Sequence, residues 1–200
     1  MKEKEVLELV KRADRGGVHV IPIRAFMLEF RDENEKSIYL QLKRMADRGV
    51  LLRLCPGFYA DPDYVKYNEA RATFELAKAL RPADQFYLSL EERAFELGMI
   101  LQVPNGFTFV TDGFTYTYHT AVGPIYFTHQ DIKDITKEKG VKIDYDRGIY
   151  VATKNRVIKD ATRHRRIGLL DLIWEQENRE ELERRMSERI LNKREDDIGR

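Results

Sequence analysis

Residues 35–60, EKSIYLQLKRMADRGVLLRLCPGFYA, hold the densest set of side chains able to do chemistry in this chain. From Lys36 to Ala60 the cations Lys36, Lys43, Arg44, Arg48 and Arg53 face one acid, Asp47, a local charge of +4 where the whole chain carries only +1. Charge concentrated in this way neutralises phosphates, whatever the total. Among these cations lie Ser37, Tyr39, Leu40 and Gln41, the kinds of side chain that meet base edges and thymine methyls. A second basic run, Lys154, Arg156, Lys159, Arg163, Arg165 and Arg166, has Asp160 as its only acid and includes His164. It is expected to extend a nucleic-acid track or to meet an acidic protein surface.

Other reactive types are sparse. His19, His119, His129 and His164 follow no metal-ligand spacing, and the single cysteine, Cys55, excludes an internal disulfide and thiolate-rich metal sites. The pairs Asp131/Asp134 and Asp144/Asp146 resemble magnesium ligands only in spacing, because no Gly-Ser phosphate-binding motif accompanies them. Walker, Rossmann, Gly-x-Ser-x-Gly and kinase motifs are missing. The expectation is stoichiometric binding rather than catalysis, with no cofactor and no metal.

The elements that position the first cluster follow from periodicity. Ile38, Leu42, Met45 and Ala46 recur at helical spacing, so Lys36, Lys43 and Arg44 project from the opposite face. Asn34 suits an N-cap and Gly49 a C′ position, giving about four turns at 3.6 residues per turn. Two short apolar runs then flank Cys55-Pro56-Gly57, the pattern of a hairpin. Upstream, Val6, Leu9, Val10 and Ala13 form a helical stripe that stops at Gly16-Gly17, and Val18–Ile21 reads as a short strand. Pro22 suits the first turn of a second helix, Ile23–Phe30, with Phe26, Met27 and Phe30 as core candidates. Helix, strand, helix, helix, hairpin is the order of a winged helix-turn-helix. A domain this small is expected to lean on the segment after it.

The stretch Asp61–Asn68 reads as a joint, Glu69–Leu80 as a helix, and Leu90–Leu97 as another helix closed by Gly98. The period then becomes two in Phe107–Thr111, Thr115–Thr120 and Pro124–Thr128, with turns at Asp112-Gly113 and Val122-Gly123, which predicts an antiparallel sheet. Ile149–Ala152 is a further candidate strand, followed by helices over 154–162 and 167–174. From Glu175 the chain is nearly all charged, with Leu182, Met186 and Ile190 at steps of four. The expected fold class is therefore α+β: a winged helix over 1–60, a connecting segment over 61–80, a mixed domain with an antiparallel sheet over 81–175, and a charged helix over 176–200.

The chain has 200 residues, 42% of them hydrophobic and 10% aromatic, enough for real cores. It contains no apolar run of membrane-spanning length, and its charged start, MKEKEVLELVKRADR, lacks a signal core, so a cytoplasmic protein is expected.

Taken in order, DRGVLLRLCPGFYA, FYLSLEERAFELGMI, VPNGFTFVTDG, YTYHTAVGPIYFTH and IYVATKNRVIKD resemble the AbiEi-type antitoxins of bacterial type IV toxin–antitoxin and abortive-infection systems. The likeness covers roughly residues 5–175. Gly57-Phe58-Tyr59 matches the family's Gly-Val/Leu-Tyr turn, and Tyr87–Glu91 its Tyr-Leu-Ser-Leu-Glu helix opening. Ala152-Thr153-Lys154-Asn155-Arg156-Val157 matches its Ala-Thr-Pro-Glu-Arg-Ala corner, with Lys154-Asn155 in place of Pro-Glu. The resemblance implies a phage-defence antitoxin that represses its own operon through repeats in the promoter and counters a nucleotidyltransferase-like toxin, the second domain carrying the antitoxic part. From the residues alone two other classes stay open: a protein-interaction module whose winged helix does not bind DNA and whose basic patches hold an acidic partner, and a nucleotidyltransferase built on Asp144 and Asp146.

Overall fold

The computed structural model describes residues 2–198, and their side chains as far as Arg184 apart from Leu182. Helix α1 (Glu3–Arg15) buries Val6, Leu9 and Val10, the stripe its spacing sets up. Strand β1 (Ile21–Pro22) runs straight into α2 (Ile23–Glu29), which buries Phe26. Pro22 is extended and precedes the first turn of α2 rather than lying within it. Helix α3 (Glu35–Asp47) opens where the Asn34 side chain accepts from the Lys36 N–H at 2.9 Å, and buries Ile38, Leu42 and Met45. It stops because Gly49 takes φ +71°, a left-handed conformation that relieves the last carbonyls without a Cβ clash. Strands β2 (Leu52–Cys55) and β3 (Phe58–Ala60) form the hairpin, and β3 sits between β1 and β2 in a three-stranded antiparallel sheet. These elements close around Val6, Leu9, Val10, Ile21, Phe26, Ile38, Leu42, Met45, Leu51 and Tyr59. Burying each large aliphatic among them stabilises by about 1.5–3 kcal/mol before conformational entropy is charged.

The expected joint at Asp61–Asn68 is a helix. Asp61 accepts from the N–H groups of Asp63 and Tyr64, Pro62 fits the first turn, and α4 (Pro62–Tyr67) follows. Helix α5 (Glu69–Leu80) leads to β4 (Phe86–Leu88) and α6 (Leu90–Glu96). After these come β5 (Phe107–Thr111), β6 (Tyr116–Thr120), β7 (Gly123–His129), β8 (Val141–Asp144), β9 (Ile149–Ala152) and α7 (Lys154–Arg163). The last helix, α8, is continuous from Ile167 to Ile198, and the stripe of Leu182, Met186 and Ile190 lies outside the described side chains.

The fold is mixed α+β, but its larger sheet is not antiparallel as the alternation suggested. Its order is β6-β7-β5-β4-β9-β8, with β5/β7 and β4/β9 parallel and the other three pairs antiparallel. The chain leaves β5, lays down β6 at the rim, and returns through β7 into the gap between them. Period-two alternation has the same form in both pairings, so it carries no information on direction.

Both faces of this sheet are covered. Leu88, Phe109, Phe127 and Val151 pack on Phe74, Leu76 and Ala77 of α5, and this cluster continues into Val20, Leu54, Cys55, Ala60 and Val65. Tyr87, Val110 and Ala152 face the other way, onto α6, α7 and the start of α8 through Leu90, Ala94, Val157, Ala161, Leu169 and Ile173. One hydrophobic cluster thus runs across residue 60, the boundary drawn between the first two segments. No helix among the described residues is long and apolar enough to cross a membrane.

Candidate nucleic-acid interface

The buried stripe of α3 dictates what its other face offers. At about 100° per residue, Lys36, Leu40 and Lys43 lie opposite Ile38, Leu42 and Met45, with Tyr39 and Arg44 on the flanks. Lys36, Lys43 and Arg44 are exposed, and Tyr39 and Leu40 remain 49% and 48% exposed. Ser37 and Gln41 are half-buried at the margin of this face. Asp47 also points outward, at the C-terminal end, so the cationic character is strongest over the first three turns.

Arg53 stands exposed on β2, opposite Tyr59 of β3. Burial pushes the Tyr59 hydroxyl pKa up, Arg53 pulls against this, and Tyr39 adds to it. Arg53 and Tyr39 thus both lie within electrostatic reach of the Tyr59 phenol. Arg48 is spent differently: it is ion-paired with Glu3 of α1 and donates to the Arg44 carbonyl at 3.3 Å. It clamps α3 to α1. Among the described residues Lys36, Lys43, Arg44 and Arg53 enter no ion pair, unlike Arg12, which bridges to Glu29 at 2.6 Å. Arg24, exposed in the first turn of α2, is a further open cation that the sequence reading passed over. Its signal was its place just after Pro22, at the helix that precedes α3.

Strand β2 of the hairpin is not free. The Leu54 carbonyl accepts from the Ala121 N–H at 2.7 Å in the β6–β7 turn, and Leu54, Cys55 and Val122 share a core cluster. Burial raises the Cys55 thiol to about 11, so it stays protonated and inert.

The second basic run does not form one surface. Lys154, Lys159, Arg163 and Arg165 are exposed, and Arg166 lies 3.6 Å from Glu91 beside a cavity of about 310 Å³ that Asn105, Thr108 and Tyr126 also line. Arg156 turns inward instead. Its Nε meets Asp160 at 2.9 Å, its Nη1 meets Glu138 at 2.7 Å, and its Nη2 donates to the Tyr87 hydroxyl at 2.6 Å. Asp160, 1% exposed, also accepts from Ser89 at 2.8 Å and Tyr87 at 3.0 Å. The reason is spacing: Arg156, Val157, Asp160 and Ala161 form the buried side of α7, and a buried carboxylate requires a cation beside it. Arg156 is therefore withdrawn from the patch. His164 is half-buried, and that burial lowers its pKa.

Asp144 is held by Arg147 at 3.0 Å, while Asp146 is exposed next to it. No group of three or more His, Cys, Asp or Glu among the described residues is arranged to hold a metal ion.

No family model matches this sequence, and no curated protein matches it either.

Proposed function

We propose that residues 1–60 are a winged helix-turn-helix and that α3 enters the major groove of double-stranded DNA. The observation that carries this reading is the outer face of α3: Lys36, Lys43 and Arg44, which enter no ion pair among the described residues, surround exposed Tyr39 and Leu40, and Arg53 stands exposed on the hairpin. Set among cations, the exposed Tyr39 and Leu40 offer an apolar and hydrogen-bonding surface that suits thymine methyls and base edges. Lys36, Lys43, Arg44 and Arg53 hold phosphates. Ser37, Tyr39, Leu40 and Gln41 read bases. In line with the resemblance to AbiEi-type antitoxins, the protein represses its own promoter, and its sheet-bearing part counters a nucleotidyltransferase-like toxin.

A mobility-shift titration with the DNA upstream of the gene tests the first half. Four phosphate contacts give a log–log salt slope of about −3 to −4, from roughly −0.9 per contact. Lys43→Glu combined with Arg44→Glu is expected to abolish the shift while leaving toxin rescue in co-expression intact. Binding that is indifferent to salt, or to this charge reversal, rejects the reading.

The docked strand β2 favours a second reading, a protein-interaction module. With the Leu54 carbonyl and Cys55 held against the β6–β7 turn, strand β2 of the hairpin is committed to a contact within the protein. In that reading the exposed cations of α3 and α7 bind an acidic protein, and charge reversal at Lys43 and Arg44 removes rescue but has no DNA phenotype.

A further inference from the structure

Among the described residues, two that are not glycine hold a positive φ: Leu90 at +56° and Arg165 at +53°. Backbone of this kind is disfavoured for any side chain and persists only where its surroundings hold it, commonly at functional sites. Leu90 is fully buried at the start of α6, and Arg165 follows the end of α7. Their chain neighbours, Glu91 and Arg166, face each other at 3.6 Å and line one cavity of about 310 Å³. The two strained positions thus flank the two charged groups of a single cavity.

The cavity lies on the side of the large sheet that α6 and α7 cover. Thr108 of β5 and Tyr126 of β7 are register partners, and by alternation both stand on the side of Val110, away from Phe109 and Phe127. Both line the cavity, as does Asn105 from the segment before β5. Thr108 is 3% exposed, and its hydroxyl has no hydrogen-bond partner among the described residues. The Tyr126 phenol and the Asn105 amide have none there either. A buried hydroxyl without a partner is uncommon, and this one borders a space that a polar molecule can fill. The ion pair at the rim is loose: 3.6 Å is beyond hydrogen-bond reach, and the Arg166 and Glu91 side chains are 41% and 31% exposed. Pairs this exposed contribute little, so a ligand can part them at small cost.

We infer that this cavity binds a small zwitterion, a free α-amino acid with a polar uncharged side chain, its carboxylate on Arg166 and its ammonium on Glu91. The lining selects this class. With one cation facing one carboxylate, a phosphate or other net anion is opposed by Glu91, and a metal ion or simple amine by Arg166. A molecule that carries both charges on one carbon satisfies both groups at once, and the guanidinium fork matches a carboxylate. The volume is at the small end for ligand cavities, which suits a compact molecule. Asn105, Thr108 and Tyr126, all neutral and able to donate and accept, remain for an amide or hydroxyl side chain. The inference does not depend on DNA binding.

Amide chemical shifts of the isotope-labelled full chain, titrated singly with L-glutamine, L-asparagine, L-serine and L-threonine to about 10 mM, test it. At least one is expected to bind with a Kd below about 1 mM, with shifts centred on Asn105, Thr108 and Arg166. N-acetylation or esterification of that amino acid removes one of its charges and should weaken binding at least about tenfold. Arg166→Gln and Glu91→Gln should each weaken it by about ten- to a hundredfold. The melting temperature is expected to stay unchanged in both, because the side chains are partly exposed and their pair is loose. Four results overturn the inference: no binding by any of the four amino acids, equal binding of the blocked derivatives, binding indifferent to Arg166→Gln, or binding of adenosine or guanosine in their place.

Discussion

Arg53 and Arg156 both sit in basic stretches, yet one is open to solvent and the other is 4% exposed within a network of Asp160, Glu138 and Tyr87. At the scale of a residue, the difference lies in what the neighbouring positions bury. Val157 and Ala161 pull their face of α7 against the sheet, and Arg156 and Asp160 go inward with them. The buried Tyr87 hydroxyl adds to this lock and its pKa is pushed up beyond its usual range, chiefly by burial and then by Asp160. Arg156→Ala leaves Asp160 charged and short of its main partner, so urea unfolding should show a loss of about 3–5 kcal/mol. Lys159→Ala, on the exposed side of the same helix, should stay within about 0.5 kcal/mol of the parent. Equal effects of the two substitutions would show that the network does not hold the fold.

Among the elements, the parallel pairing of β5 with β7, like that of β4 with β9, was left undetermined by alternation. Its lower end depends on Gly106, at φ +102°, where a Cβ would fall 2.2 Å from the Pro124 carbonyl oxygen. Phe107 pairs with Ile125 in the next step of the ladder, so there is no slack for the backbones to part. Gly106→Ala therefore combines a disfavoured φ with a clash against main chain, and should cost about 2–4 kcal/mol in chemical denaturation. A neutral result would mean that the β5–β7 approach is looser than its register implies. Helix α3 shows the opposite case. Its cap at Asn34, its stop at Gly49 and its core stripe all lie within the segment itself, and they were legible before any coordinates.

For the molecule as a whole, the telling feature is the cluster that joins Val20, Leu54, Cys55 and Ala60 to α5 and the large sheet. Surfaces that share a core are expected to melt together. Cys55 supplies the probe: its thiol is buried and held protonated with a pKa of about 11, so it reacts only on unfolding. Thiol labelling at Cys55 and far-UV circular dichroism should report one coincident urea transition. Two separated transitions would mean that residues 1–60 open independently of the sheet. The same joining shapes the proposed DNA surface. It fixes the hairpin at Leu54 of β2 and leaves Arg53 of the same strand exposed.

Local order in the chain determined the helices other than α4, the cap and stop of α3, the hairpin and the exposed face of α3, because each of these is a matter of residues three, four or two apart. Strand direction, the inward turn of Arg156 and the docking of the hairpin were decided only by the tertiary structure. Each depends on which distant segment lies alongside: Phe107 with Ile125, Arg156 with Tyr87, and Leu54 with Ala121. Periodicity specifies which face of an element is apolar. It carries no record of the partner that face will meet.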